Sequence, residues 1–143
     1  MLRNIDELLA LIKDKSYLDA EKIVKAYNFA DQLHTGQLRR SGDPYITHPL
    51  SVAEIVVELQ LDTDSICAAL LHDTVEDCSD KMDNILLKIK KEFGNDVADI
   101  VDGITKLVHI TFDDKEKENV ENLRKMFLAM SKDLRVIFVK LAD

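Results

Sequence analysis

The residues best equipped for chemistry lie in one short run, His72-Asp73-Thr74-Val75-Glu76-Asp77. It follows directly on the apolar stretch Ile66-Cys67-Ala68-Ala69-Leu70-Leu71, and a single helix beginning near Thr63 is expected to carry both. Residues three and four apart share a helix face, which stacks His72 with Glu76, and Asp73 with both Glu76 and Asp77. One imidazole and three carboxylates on one face repel unless a cation, a proton or solvent relieves them. A hard-to-borderline metal ion would do so, with His72 and Asp73 reaching it from neighbouring positions. The same pattern suits a solvated acidic helix end running into Ser79-Asp80-Lys81 equally well.

Three other places carry reactive side chains. His48 stands in Thr47-His48-Pro49 at an expected helix start, where a lone histidine reads first as a capping or packing group. Asp143 follows Val136, Ile137, Phe138, Val139 and Leu141, so it projects from an apolar helix and by itself is an ordinary polar end. Arg39 and Arg40, with Ser41 beside them, occupy a Gly-containing loop. Two adjacent guanidinium groups can take phosphate oxygens or stack on a flat base, although an isolated pair reads as two surface cations. His34 and His109 have no acidic cluster around them and read as structural or exposed. Glu116, Lys117, Glu118 and Glu121 read as a solvated helix face.

The elements that must position these residues are helical. Ile5, Leu8, Leu9 and Ile12 give a short amphipathic helix, and Ile23, Val24, Tyr27, Ala30 and Leu33 a longer one ended near Gly36. The pattern breaks from Gln37 to Thr47, around the turn-forming Ser41-Gly42-Asp43-Pro44. Thr47 or His48 can cap the next helix, with Pro49 in its first turn. That helix continues through Val52, Ile55, Val56 and Leu59. Asp62 or Thr63 caps the one carrying the reactive run. A helix from Ile85 to Phe93 stops at Gly94, and Asn95 opens another with Val97, Ile100, Val101 and Ile104. Residues 108–114 read as a loop. Val120, Leu123, Phe127 and Met130 make a helix, and Leu134 to Ala142 the last. The expected architecture is a single all-α domain over residues 1–143.

The chain has 143 residues and a formal charge of −8, which counts against generic binding to DNA or to an anionic membrane, since both demand a basic face. Its longest apolar run is far short of the ~20 residues of a membrane span, and Asp6 and Glu7 interrupt any signal-like start. Two cysteines, Cys67 and Cys78, make no disulfide framework and fit a reducing, cytoplasmic setting.

Four blocks then match a known pattern, in order. The string His34-Thr35-Gly36-Gln37-Leu38-Arg39-Arg40-Ser41-Gly42-Asp43-Pro44-Tyr45-Ile46-Thr47-His48-Pro49 closely resembles the opening motif of RelA/SpoT-type alarmone enzymes. Ala69-Leu70-Leu71-His72-Asp73-Thr74-Val75-Glu76-Asp77 resembles that family's HD helix. Asn122-Leu123-Arg124-Lys125-Met126-Phe127-Leu128-Ala129-Met130 and Val139-Lys140-Leu141-Ala142-Asp143 resemble further blocks, and the former is similar to the long, multidomain members.

The resemblance implies an all-helical HD phosphohydrolase domain that cleaves the 3′-pyrophosphate of guanosine tetra- or pentaphosphate, leaving GDP or GTP. It implies one divalent metal, usually Mn2+, held by His48, His72, Asp73 and Asp143. It gives Glu76 and Asp77 catalytic roles and places Arg39, Arg40 and Ser41 in the nucleotide-contacting loop. Relatives continue past the Lys-Leu-Ala-Asp block into Arg-Leu-His-Asn-Met-Arg-Thr, whereas here the sequence stops at Asp143. Helix ends fray, so Asp143 is expected to be poorly fixed, and a domain cut at this point is expected to fold yet bind metal weakly and turn over slowly or not at all. Two alternatives remain: an HD phosphohydrolase acting on another nucleotide, and a catalytically silent domain that binds ligand or regulates a synthetase.

Overall fold

Every residue from Ser65 to Leu71 has 0 % of its surface exposed. A helix that is apolar on all sides has no face to offer water and must lie at the centre of a fold. The computed structural model describes residues 2–108, Arg124 and residues 133–143. In it this run forms α4 (Thr63–Leu71), which packs against α2 (Ala20–Leu33), α3 (Thr47–Glu58), α7 (Asn95–Val108) and α8 (Arg135–Ala142). Outside that layer, α1 (Ile5–Ile12) packs on α2 and α3, and α6 (Ile85–Phe93) packs on α7 and on the short α5 (Thr74–Asp77). Burial of Ile66, Leu70 and Leu71 contributes about 1.5–3 kcal/mol each, which makes α4 the principal anchor of the core. The described elements are helical, as expected of an all-α domain, with one isolated bridge between Leu38 and Pro44. None of them is long and apolar enough to cross a membrane. Cys67 and Cys78 are buried free thiols.

Side-chain caps start three of these helices. Asn4, Asp19 and Asp62 accept from the backbone N–H of Glu7, Lys22 and Ser65, satisfying donors that have no intrahelical partner. Asp62, not Thr63, therefore opens α4. At α3 the expectation fails, because neither Thr47 nor His48 caps it and Ile46 takes the N-cap position without a side-chain bond. The Thr47 hydroxyl donates instead to the Pro44 carbonyl at 2.7 Å, tightening the preceding turn. Pro49 does lie in the first turn of α3, where its missing N–H costs nothing.

The reactive run also departs from the single expected helix. α4 ends at Leu71, and α5 begins only at Thr74. Two side chains account for the break. The His72 ring takes the Ala69 carbonyl at 2.6 Å and the Thr74 hydroxyl takes the Leu71 carbonyl at 2.7 Å, so acceptors that would propagate the helix are diverted. Val108 closes α7 rather than opening a loop. The rest of the expected 108–114 loop, His109, the acidic face at Glu116, Glu118 and Glu121 with Lys117, and the helix from Val120 to Met130 lie outside the described residues, apart from Arg124, which is helical and exposed.

The short connection from α3 to α4 makes these two helices antiparallel neighbours, which sets His48 at the start of α3 level with His72 just past the end of α4. α8 arrives at the same end. Its apolar face, Val136, Val139 and Ala142, is buried against α3, α4 and α7. At its other end Arg135 pairs with Asp62, and its guanidinium also meets Asp133 at 2.6 Å, Asp96 at 3.8 Å and Asp64 at 4.0 Å. Partly exposed ion pairs of this kind contribute about 0.2–1 kcal/mol, less than the apolar contacts. Their effect is to set how far α8 slides along α4.

α8 and α7 touch where Gly103 faces Val136. A Cβ built on Gly103 would fall 2.7 Å from Val136 Cγ2 and 3.2 Å from Cγ1, and Val136 is only 1 % exposed, so it has nowhere to go. Gly103→Val should therefore lower stability by about 1–3 kcal/mol through overpacking. Chemical denaturation measures this, and an unchanged midpoint would show that α8 does not press on α7.

Candidate metal centre

His72 is oriented by its own helix. A carbonyl oxygen can only accept, so the ring nitrogen facing Ala69 carries the proton, Nδ1–H donating at 2.6 Å. The other nitrogen, Nε2, then points out of the core at two carboxylates, 3.1 Å from Asp73 Oδ2 and 3.2 Å from Asp143 Oδ1. From the start of α3, His48 Nε2 reaches the same point, 2.8 Å from Asp143 Oδ1 and 3.6 Å from Asp73 Oδ2. The two imidazole rings meet edge to face, centroids 5.5 Å apart. His48, His72 and Asp73 each offer a ligand atom within 4.8 Å of the others, and Asp143 supplies a fourth at the distances above. Residues from three helix ends thus converge.

This donor set fits a metal ion. In neutral His72 the Nε2 lone pair faces carboxylate lone pairs, an arrangement that repels until something positive stands among them. A proton can do this. Burial alone would lower the His72 pKa, but hydrogen bonds to Asp143 and Asp73 outweigh it and push it up to about 10. Hydrogen bonds with His48 and His72 hold the Asp143 carboxyl far below the usual carboxylate range, against burial. Burial pushes Asp73 up, yet its bonds to His72 and Tyr45 leave it lowered overall. A divalent cation meets the same demand with more charge, and two nitrogens with two carboxylate oxygens suit manganese, iron or zinc. The second imidazole nitrogen held by a backbone carbonyl is the usual support of a ligating histidine.

The remaining candidates sit around this point. Glu76 and Asp77 lie on α5, one turn past Asp73, with Glu76 half-buried and Asp77 exposed. Their backbone is anchored to the centre, Asp77 N–H donating to the Asp73 carbonyl at 2.9 Å. Arg39, Arg40 and Ser41 occupy the α2–α3 loop and do not join the cluster. The loop is pinned by Arg39 N–H to the Asp43 carbonyl at 2.8 Å and Gly42 N–H to the Arg39 carbonyl at 2.9 Å, with Gly42 at φ 90, where a side chain would be strained. The Ser41 hydroxyl is engaged with Asp43 Oδ2 at 3.0 Å.

Two residues had no place in the sequence reading as site groups. The Tyr45 hydroxyl donates to Asp73 Oδ2 at 2.7 Å, and Lys140 Nζ donates to Asp143 Oδ2 at 2.9 Å. Each stands three residues before a proposed ligand, His48 and Asp143, and for Lys140 that spacing on a helix was a readable signal. Asp143, expected to be poorly fixed, has its side chain 17 % exposed and bonded to His48, His72 and Lys140. His34 is structural as expected: 3 % exposed, with Nδ1 2.9 Å from Gln37 Oε1 and its ring against Tyr45.

The HD domain model matches residues 26–143. The chain belongs to the HD domain family. A guanosine-3′,5′-bis(diphosphate) 3′-pyrophosphohydrolase of Haemophilus influenzae is 49 % identical over 114 residues, 80 % of this chain and 16 % of that protein. A GTP pyrophosphokinase of Myxococcus xanthus is 47 % identical over 128 residues, 87 % of this chain and 16 % of the relative. The bifunctional (p)ppGpp synthase/hydrolase SpoT of Escherichia coli is 44 % identical over 132 residues, 90 % and 18 %. The chain therefore spans less than a fifth of the length of these relatives. The matched HD region contains all four residues of the cluster.

The protonation of His72 sets a pH dependence for metal-free protein. Its folded pKa lies above the ordinary 6.5, so its contribution is complete below 6.5 and is lost as pH rises toward about 10. Asp143, lowered from 3.8, contributes above 3.8 and loses that contribution on acidification. In chelator-treated protein the His72 and Asp143 contributions should both be complete between pH 3.8 and 6.5, and stability should weaken on the alkaline side as the His72 contribution is lost. Urea unfolding at stepped pH reads this directly, and Asp143→Asn should flatten the alkaline slope.

Proposed function

We propose that this HD domain hydrolyses the 3′-pyrophosphate of guanosine tetra- or pentaphosphate, giving GDP or GTP and pyrophosphate. The observation that carries this reading is the convergence of His48, His72, Asp73 and Asp143, in a chain 49 % identical over 114 residues to a protein named for that reaction. The native ion is taken to be Mn2+, and the setting cytoplasmic. Residues 1–143 act in this reading as the hydrolase unit.

The bound ion would polarise a phosphoryl oxygen and make water more acidic. The chain's own residues do the rest. His48, His72, Asp73 and Asp143 hold the ion, with Tyr45 and Lys140 fixing the two carboxylates. Glu76 and Asp77, one turn beyond Asp73, are positioned to orient the attacking water and to protonate the ribose oxygen. Water adds to the phosphorus attached to the 3′ oxygen, the P–O3′ bond breaks, and the 3′ oxygen leaves with a proton. Arg39 and Arg40 take the guanine base and phosphate oxygens, with Ser41 in the same loop.

Incubation with guanosine tetraphosphate should release pyrophosphate and GDP in equal amounts, with Mn2+ present and not with a chelator. Preference for another nucleotide in a panel would move the assignment to a different HD substrate. His72→Ala and Asp73→Asn should abolish Mn2+ binding measured by calorimetry. Glu76→Gln should keep that binding while turnover falls roughly 100-fold or more, the usual scale for a lost acid–base group. An unchanged rate in Glu76→Gln would remove it from the mechanism.

A further inference from the structure

Tyr45 stands at the junction of everything the site uses. Its hydroxyl donates to Asp73 Oδ2 at 2.7 Å, the oxygen that also faces both imidazole nitrogens. Its carbonyl accepts from the His48 N–H at 2.9 Å, and its ring meets the His48 ring with centroids 5.9 Å apart. Its own N–H donates to the Gln37 carbonyl at 2.9 Å, closing the loop that bears Arg39 and Arg40. The ring also lies against buried His34, centroids 4.7 Å apart and planes 36° from parallel, and His34 is tied in turn to Gln37. A phenol in contact with two rings and bonded along its backbone on both sides is held in place by several contacts.

A carboxylate on a single side-chain bond can swing, exchanging its two oxygens or turning away from its neighbours. Asp143 is restrained by Lys140 on the oxygen that does not face the histidines. Asp73 has Tyr45 for this purpose, and a hydroxyl that donates to a carboxylate favours its ionised form and fixes its remaining lone pairs. We propose that Tyr45 is the positioning residue that fixes Asp73 as a metal ligand, and that it joins the metal centre rigidly to the Arg39–Arg40 loop. This rests on the metal-centre reading of the proposed function but adds a residue that neither the donor set nor the reactive run contains.

Tyr45→Phe tests it, since the ring and its contacts with His34 and His48 are kept and only the hydroxyl is removed. Mn2+ affinity measured by titration calorimetry should weaken roughly 10- to 100-fold, the range for losing an outer partner of a ligand. Metal-free thermal stability should fall only as far as the loss of one hydrogen bond takes it, and kcat should recover at saturating Mn2+ with KM for guanosine tetraphosphate little changed. Tyr17→Phe, at a residue 58 % exposed, serves as the control and should change nothing. Equal Mn2+ affinities in wild type and Tyr45→Phe would overturn the role of Tyr45 and leave the metal centre standing. A weakened affinity with a kcat that excess Mn2+ does not restore would also overturn it, by making Tyr45 structural only. Absence of Mn2+ binding in wild type would overturn the metal centre and Tyr45's role together.

Discussion

The Nδ1–H of His72 donates to the carbonyl of Ala69, three residues earlier on the most deeply buried helix of the protein. That bond has two consequences at once. It diverts a helical acceptor, so α4 gives way at His72 and the chain can turn Asp73 outward. It also leaves Nε2 as the nitrogen that takes up a proton or a metal ion, aimed where two carboxylates and a second imidazole arrive. Because α4 cannot shift without unburying its apolar surface, the nitrogen is fixed in space, and the other groups are arranged around it.

Those groups are delivered by helix packing rather than by local sequence. α3 runs antiparallel to α4 and returns His48 to the end where α4 stops. α8 runs the other way, with its apolar face buried and Arg135 held by aspartates at the far end. Arg135 stands eight residues before Asp143, about 12 Å of helix, and its partner Asp62 stands ten residues before His72, about 15 Å. An ion pair at one end therefore brings Asp143 near His72 at the other. The ion pairs are weak as stabilising terms, yet they act as an axial stop.

The acidic charge of the chain fits this arrangement. A surface with a formal charge of −8 repels polyanions in general. The proposed substrate, itself a polyanion, would be received only where a metal ion and the arginine loop reverse the sign locally. Tyr45 ties that loop by its backbone to the same centre.

Much of this was legible in the residues themselves. Apolar spacing located the helices, Asp62 and Gly94 marked boundaries, and the unbroken apolar run Ile66–Leu71 gave way to a polar block whose His72 and Asp73 the structure places together with His48. The matching blocks named His48 and Asp143 as partners. Other features were invisible for definite reasons. A helical periodicity continues through His72 and Thr74, because it does not register side chains that capture the carbonyls of the preceding turn. Thr47 has the right chemistry to cap α3 but spends its hydroxyl on Pro44, a choice made by the turn before it. Tyr45 lies far from Asp73 along the chain, and no local spacing announces a hydrogen bond between them. The sequence by itself determined which side chains could bind a cation and that they sit on helices. Only the tertiary structure decided that His48, His72, Asp73 and Asp143 share one point, because that depends on how three buried helices align end to end, and alignment is set by packing and long-range ion pairs.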